Sequence, residues 1–353
     1  MVGNEVICII GMHRSGTSMV ARLLGLCGLN LGGDDQLIGP DEGNPLGHFE
    51  HAGFHRINEA LLEHFGGSWD NPPELNPGWQ NDSSLSHLAA EGKRLISTFT
   101  ESRPWGWKEP RTTLLLPFWK SIIPSLRFVI CVRSPLDVAR SLEKRDGMSI
   151  GAGAALWHRY FGAAVRNTEG SPRIFTFYED YFDDPLSEIN RVSGFCGLSP
   201  GENPSELHAV VSRELRHHTS EIADLFNAEI IPVQLKLFYV SVWALYSQRY
   251  AWPRSTKYEG DMTSVSIGKL LDSLAEIEDR EKVAQLQSAL IRKAQEVTAV
   301  RSAVRKQLSE LEKQMTALQA ENLRLQAFSD AVRNTFVYRF YKKCLRPLGI
   351  NVQ

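Results

Sequence analysis

Two stretches of this chain pair a tight turn or strand end with residues that can grip an anion. Gly11-Met12-His13-Arg14-Ser15-Gly16-Thr17-Ser18 stands between the apolar run Val6-Ile7-Cys8-Ile9-Ile10 and the apolar-periodic Met19-Val20-Ala21-Arg22-Leu23-Leu24. That order predicts strand, loop, helix, with backbone N–H groups and a helix N-terminus aimed at an anion, usually a phosphate. The two glycines have the Gly-x4-Gly spacing of nucleotide-triphosphate loops. Such loops continue Lys-Ser or Lys-Thr, the Lys for the β/γ-phosphates and the hydroxyl for Mg²⁺. Here Gly16 is followed by Thr17-Ser18, and the basic residue sits inside the loop as Arg14. The loop can hold an anion but lacks the usual Lys for moving a γ-phosphoryl group.

Arg127-Phe128-Val129-Ile130-Cys131-Val132 reads as a second buried strand and ends in Arg133-Ser134-Pro135-Leu136-Asp137. Ser134 suits an N-cap, Pro135 the first helical turn, and Asp137 the third position after the cap, so a helix begins here. Ser141 then lies one to two turns into that helix. A guanidinium grips phosphate bidentately and a hydroxyl adds a neutral donor. Between these stretches runs Trp105-Gly106-Trp107-Lys108-Glu109-Pro110-Arg111. After them a strand, Ile174-Phe175-Thr176-Phe177, runs into Tyr178-Glu179-Asp180.

Taken together, these pieces resemble the sulfotransferases that use 3′-phosphoadenosine 5′-phosphosulfate (PAPS), in the bacterial carbohydrate and polysaccharide type. The resemblance covers roughly residues 5–220, with the pieces in the family's order. It implies that Arg14 contacts the bridging oxygen and sulfuryl group, and that Ser15, Gly16, Thr17 and Ser18 hold the 5′-phosphate. Arg133 and Ser141, eight residues apart as in the family, would bind the 3′-phosphate. Lys108 would reach the sulfuryl group and the leaving phosphate oxygen, with Glu109 where the family more usually has Asp. Tyr178 would lie near the phosphoadenosine; a core aromatic with a wet hydroxyl is the other reading.

Sulfuryl transfer to a hydroxyl also needs a base for the nucleophile. Asn44-Pro45-Leu46-Gly47-His48-Phe49-Glu50-His51 resembles the Gly-aromatic-aromatic-Glu stretch of the polysaccharide-type enzymes. Glu50 is therefore the first candidate, with His48 and His51 as alternatives. The competing reading has Glu50 merely opening the next helix. His48, His51 and His55 are close in sequence, but the order is not the His-Glu-x-x-His of zinc hydrolases and no Cys pair is near, so no metal is expected.

The expected fold is α/β: a three-layer, P-loop-like domain with a central parallel sheet and helices on both faces. The expected division is a catalytic domain over 1–225, a helical segment packing on it over 226–260, a coiled coil over 265–330, and a basic aromatic tail over 331–353. Residues 48–66 and 85–101 read as helices, as does 152–167 with Trp157, Tyr160 and Phe161. Residues 67–84 read as an irregular wall of the acceptor cleft or a packed loop, and Leu215-Arg216-His217-His218 as a basic cluster.

In the coiled-coil stretch, apolar residues recur every seven positions: Val283, Leu290, Val297, Val304, Leu311, Leu318 and Leu325. Leu308, Met315 and Asn322 join them from Val304 onward. That heptad pattern, with Asn at an a position, predicts a parallel homodimer. The tail has no acid after Asp330 and suits a membrane surface or an acidic partner.

The 353 residues are 42% hydrophobic with net charge −2, which implies no general nucleic-acid affinity. Five scattered cysteines read as reduced thiols rather than a disulfide frame. There is no signal-peptide pattern and no membrane-length apolar run, so a cytoplasmic enzyme is expected, with peripheral contact at the inner face of the membrane through the tail. The predicted activity is PAPS-dependent sulfuryl transfer to a hydroxyl, on a carbohydrate or cell-surface polysaccharide precursor, releasing adenosine 3′,5′-bisphosphate. The alternatives are an atypical P-loop kinase or NTPase, and a non-catalytic coiled-coil scaffold with a decayed transferase domain.

Overall fold

The computed structural model describes residues 6–40, 47–99, 104–199, 204–211 and 220–251, and toward the C-terminus 313–331 with scattered positions between 292 and 343. Four strands, β1 (Val6–Gly11), β2 (Gly106–Lys108), β3 (Leu126–Val132) and β4 (Arg173–Phe177), form one parallel sheet in the order β2-β1-β3-β4. Every residue of β1 is buried. Its sequence is a continuous apolar run rather than an alternating one because helices cover both faces.

The helices, in chain order, are α1 (Thr17–Leu26), α2 (Ala52–His64), α3 (Ser86–Ser97), α4 (Thr112–Ile122), α5 (Pro135–Asp146), α6 (Ile150–Asn167), α7 (Asp180–Asp183), α8 (Pro185–Phe195), α9 (Pro204–Val210), α10 (Ile222–Asn227) and α11 (Val233–Ala251). Ile7 and Ile9 of β1 and Val129 and Cys131 of β3 form one core with Val20, Leu23 and Leu24 of α1 and with α8 and α9. The alternate residues of β1 point the other way, where α4 and α6 pack against it. α11 joins that side through Phe238, whose ring stands 5.0 Å from Phe161 and 6.5 Å from Trp157.

The strand order turns around at β1: the chain passes to β2 on one side and to β3 and β4 on the other. The carboxyl ends of β1 and β3 lie side by side, Gly11 opposite Cys131. In open α/β sheets a crevice opens beyond the strand ends at such a reversal. Here it receives the loop after β1 and Arg133 after β3, the two stretches singled out in the sequence.

Three local expectations need correction. The helix expected over 48–66 starts only at Ala52; residues 47–51 lie outside it, with Gly47 at φ +91° and Phe49 at φ +54°, and are pinned to the preceding loop, Ile38 N donating to Glu50 O at 2.8 Å. Glu50 therefore does not open a helix. Ser134 stands at the cap of α5 but its side chain makes no capping bond. Asp137 does not close a capping box either: its carboxylate accepts from Ser220 N and Oγ, at 3.1 and 2.5 Å, tying a distant segment to α5.

Among the described residues Cys8, Cys27, Cys131 and Cys196 are buried and none forms a disulfide. Among the described residues no helix is long and apolar enough to cross a membrane. The chain divides into two units, Met1–Ile291 and Arg292–Gln353. In the second, residues 313–331 are helical and Leu311, Met315, Leu318 and Leu325 are exposed. The heptad positions Val283, Leu290, Val297, Val304 and Leu308, the cluster Leu215–His218 and most of the tail lie outside the described residues.

Candidate functional site

The loop after β1 is shaped by its glycines. Gly11 passes so near β3 that a Cβ there would stand 2.5 Å from the Cys131 carbonyl, and its N–H donates to Thr113 Oγ1 at 3.1 Å. Gly16 has φ +85°, and a Cβ would meet Tyr178 Cδ2 at 2.5 Å. Gly16→Ala should therefore destabilise the fold by about 1–3 kcal/mol and push Tyr178 off the loop; chemical denaturation measures the first effect and Tyr178 fluorescence the second. Arg14 also lies in the left-handed region, at φ +66°. An arginine held there marks backbone strain retained for the direction it gives the side chain. α1 begins at Thr17 with no side-chain cap, which leaves its first turn facing the crevice.

Arg14 Nε donates to Ser141 Oγ at 2.9 Å, and Arg133 Nη1 donates to the Arg14 carbonyl at 3.1 Å. The Arg133 guanidinium lies 4.3 Å from the centre of the Tyr178 ring, while Trp157 Nε1 holds the Arg133 carbonyl at 3.1 Å. Arg14, Arg133, Ser141 and Tyr178 thus form one cluster drawn from the loop, the end of β3, α5 and the end of β4. Burial, then the neighbouring charges of Arg145 and Arg133, lowers the Arg14 pKa. Cations crowded this way want an anion between them.

At the other end stands Lys108, fully buried at the end of β2, with Nζ 2.6 Å from Glu50 Oε1. The turn after Lys108 is fixed by Glu109, whose carboxylate accepts from Asn58 Nδ2 at 2.5 Å, Arg111 Nη1 at 2.7 Å and Thr112 N at 3.1 Å. Asn58 accepts in turn from Trp119 Nε1 at 2.7 Å, and Trp107 Nε1 donates to Thr112 at 3.1 Å. Phe54 stacks on Trp107 at 4.6 Å. Glu109 is thus the anchor that seats Lys108; the longer acid reaches α2 and the start of α4 together. Burial pushes the Glu109 carboxyl above the usual range despite Arg111. Burial alone would also raise Glu50, but the charge of Lys108 and its bond, with His55 close by, outweigh it and hold Glu50 well below the usual range. Glu50, His55 and Glu109 bring their polar atoms within 4.8 Å of one another, and both carboxylates are already met by Lys108 and Arg111.

Both ends line a single cavity with Gly16, Thr17, Ser18, His48 and Tyr178. Among the described residues its cations are Arg14, Arg22, Lys108, Arg133 and Arg145, and its one carboxylate is Glu50. Ser15 is buried beneath the loop with its Oγ unpartnered. His51 is not among the residues lining the cavity; its Nδ1 accepts from Gly53 N at 3.0 Å and caps α2.

Three lining residues escaped the sequence reading. Arg145 lies one turn beyond Ser141 on the same face of α5, and its guanidinium is 5.2 Å from the Trp69 ring centre. Arg22 has the same relation to Ser18 on α1. His13, next to Arg14 in the loop, stacks on Trp69 at 4.6 Å with a buried Nε2 that has no partner. Helical spacing could have found the first two. Trp69 itself is held by Tyr160 Oη, which donates to its carbonyl at 2.8 Å, so residues 67–84 stand beside the cavity as a packed loop.

The sequence profile of the Sulfotransferase family matches residues 6–202, from β1 through α8, more than half of the chain. The chain belongs to the sulfotransferase family. Among solved structures, this sulfotransferase is similar to the sulfotransferase domain of the Synechococcus PCC 7002 olefin synthase, at 15% identity over 81% of this chain and 94% of that one, TM-score 0.35. It is similar too to the sulfotransferase domain of the curacin biosynthetic pathway, at 16% identity over 68% and 97%, TM-score 0.39. A sulfotransferase from Alicyclobacillus acidocaldarius matches at 16% identity over 60% and 90%, TM-score 0.33. No curated protein matches the chain.

Proposed function

We propose that this sulfotransferase moves the sulfuryl group of PAPS to an acceptor hydroxyl, on a carbohydrate or a cell-surface polysaccharide precursor. The observation that carries the reading is the cavity. Two cationic ends, Arg14–Ser141–Arg133 and Lys108–Glu50, line one cavity together with the N-terminus of α1. Five cations against one carboxylate suit a donor with two phosphate positions and a sulfuryl group; the buried unpartnered Ser15 hydroxyl and the close-packed Gly16 suit a phosphate cradle.

PAPS supplies an activated sulfuryl group on a phosphate leaving group. Thr17, Ser18 and the first turn of α1 hold the 5′-phosphate, and Arg133 with Ser141 holds the 3′-phosphate. Arg14 and Lys108 neutralise charge at the bridging oxygen, where it grows as the bond to sulfur breaks. Glu50 takes the acceptor's proton. His48, which lines the same cavity, is the first alternative base, ahead of His51, whose Nδ1 caps α2.

A kinase reading needs a Lys after Gly16, and Thr17 stands there. A decayed scaffold would not keep Arg14, Ser141 and Arg133 in contact. Thermal melts distinguish the readings: adenosine 3′,5′-bisphosphate should raise Tm and ATP with Mg²⁺ should not. The reverse order would favour the kinase.

The exposed Leu311, Met315, Leu318 and Leu325 support a further part of the reading, a parallel homodimer through residues 265–330 with the catalytic domain over 1–225 and the helical segment over 226–260 outside the seam. Two linked tails over 331–353 would bind an anionic membrane surface at the cytoplasmic face more firmly than one. Leu311→Asp with Leu318→Asp should give a monomer by light scattering with its nucleotide binding intact. Wild-type protein already monomeric at micromolar concentration would remove the seam.

A further inference from the structure

Glu50 and Lys108 raise a difficulty for the reading just given. The base must be able to accept a proton, yet its carboxylate sits 2.6 Å from an ammonium. Lys108 meanwhile must turn to the leaving oxygen. Both side chains are nearly inaccessible, 1% and 7% exposed. Buried to this extent they are costly to part, unless another charged group in the cavity takes up one of them. Both line that cavity.

We propose that donor binding draws Lys108 away from Glu50 and thereby unmasks the base, so that Glu50 can accept the acceptor's proton only when the sulfuryl donor is in place. This rests on Glu50 being the base and on Lys108 facing the donor. The groups facing Glu50 are Lys108, His55 with Nδ1 3.6 Å from Oε2, and, at longer range, His13 and Glu109. Lys108 is the cation that offsets the burial of Glu50. Once its charge is committed to a phosphate oxygen, burial and the Glu109 carboxylate push Glu50 upward, opposed by His55 and, from further away, by His13 and Arg111.

The sequence of events balances. The acceptor oxygen forms its bond to sulfur as the bond from sulfur to the bridging oxygen breaks. The electron pair goes to the 5′-phosphate, beside Lys108 and Arg14, and the hydroxyl proton goes to Glu50. Before donor binding an acceptor hydroxyl meets a carboxylate already bound to Lys108 and keeps its proton. After product release the ion pair re-forms, Glu50 losing its proton as Lys108 returns.

Calorimetry of the full chain with adenosine 3′,5′-bisphosphate, near neutral pH in buffers of differing ionisation enthalpy, reads the protons taken up on binding. The nucleotide's own phosphates contribute alike in every variant. Wild type should take up a fraction of a proton more than Glu50→Gln. Lys108→Met should show no such excess, because its Glu50 has no cation to lose. Glu50→Gln should also bind the nucleotide several-fold tighter, since Lys108 no longer has a competing partner. Equal uptake in wild type and Glu50→Gln overturns the proposal. So does uptake of a whole proton, since a carboxylic acid cannot act as the base. Turnover separates this failure from that of the underlying reading: loss of activity in Glu50→Gln with equal uptake leaves Glu50 as base and removes only the unmasking. Near-normal activity in Glu50→Gln removes the base itself.

Discussion

Glu50→Gln is expected to lower turnover by about 10²–10⁴-fold, the range for losing a positioned general base, while nucleotide binding becomes no weaker. The amide keeps the shape of the side chain and can still lie beside Lys108, but it cannot take a proton. The fold should survive, because the neighbouring Glu109 network, with Asn58, Arg111 and Thr112, does not run through Glu50. Single-turnover kinetics under saturating donor measure the effect. Turnover within a few-fold of wild type would move the role to His48, which lines the same cavity.

Arg133→Ala is expected to weaken adenosine 3′,5′-bisphosphate binding by about 1.5–3 kcal/mol, the loss of a charge-assisted contact. Adenosine 5′-phosphate, with no 3′-phosphate, should lose less. It should still lose something, because Arg133 Nη1 also braces the loop through the Arg14 carbonyl and its guanidinium packs on Tyr178. Calorimetry with both nucleotides reads the difference. Equal losses would mean that Arg133 supports the loop and contacts no 3′-phosphate.

What could be read from the sequence was what is written locally. The loop between Gly11 and Gly16 and the strand end at Arg133 each sit on an apolar strand that runs into a helix, and a parallel sheet brings such ends to one edge. The pairing of Arg14 with Ser141, 127 positions away, follows from that geometry once both signatures are recognised. The ion pair of Glu50 with Lys108 was not legible as a bond, although each residue was named for its own chemistry. It depends on residues 47–51 turning through positive φ at Gly47 and Phe49 and being held to Ile38 just before α2 begins. The capping of α2 by His51 Nδ1 was likewise not legible, because a histidine beside a candidate base looks chemical. Asp137 misled in the opposite sense: its spacing from Ser134 fits a local cap, but a distant serine offered the carboxylate a better partner. Glu109 in place of the family's Asp looked like a mild departure and serves as the anchor for the turn that seats Lys108.

The central claim is sulfuryl transfer from PAPS, and the most direct test follows the sulfur itself. Full-length protein is incubated with radiolabelled PAPS and, separately, soluble glycans, glycolipids and peptides, and the label is traced. The account predicts label on a carbohydrate hydroxyl with one adenosine 3′,5′-bisphosphate released per transfer, and loss of both in Lys108→Ala. Label that stays on the nucleotide with every acceptor, while ATP with Mg²⁺ is consumed instead, would contradict it.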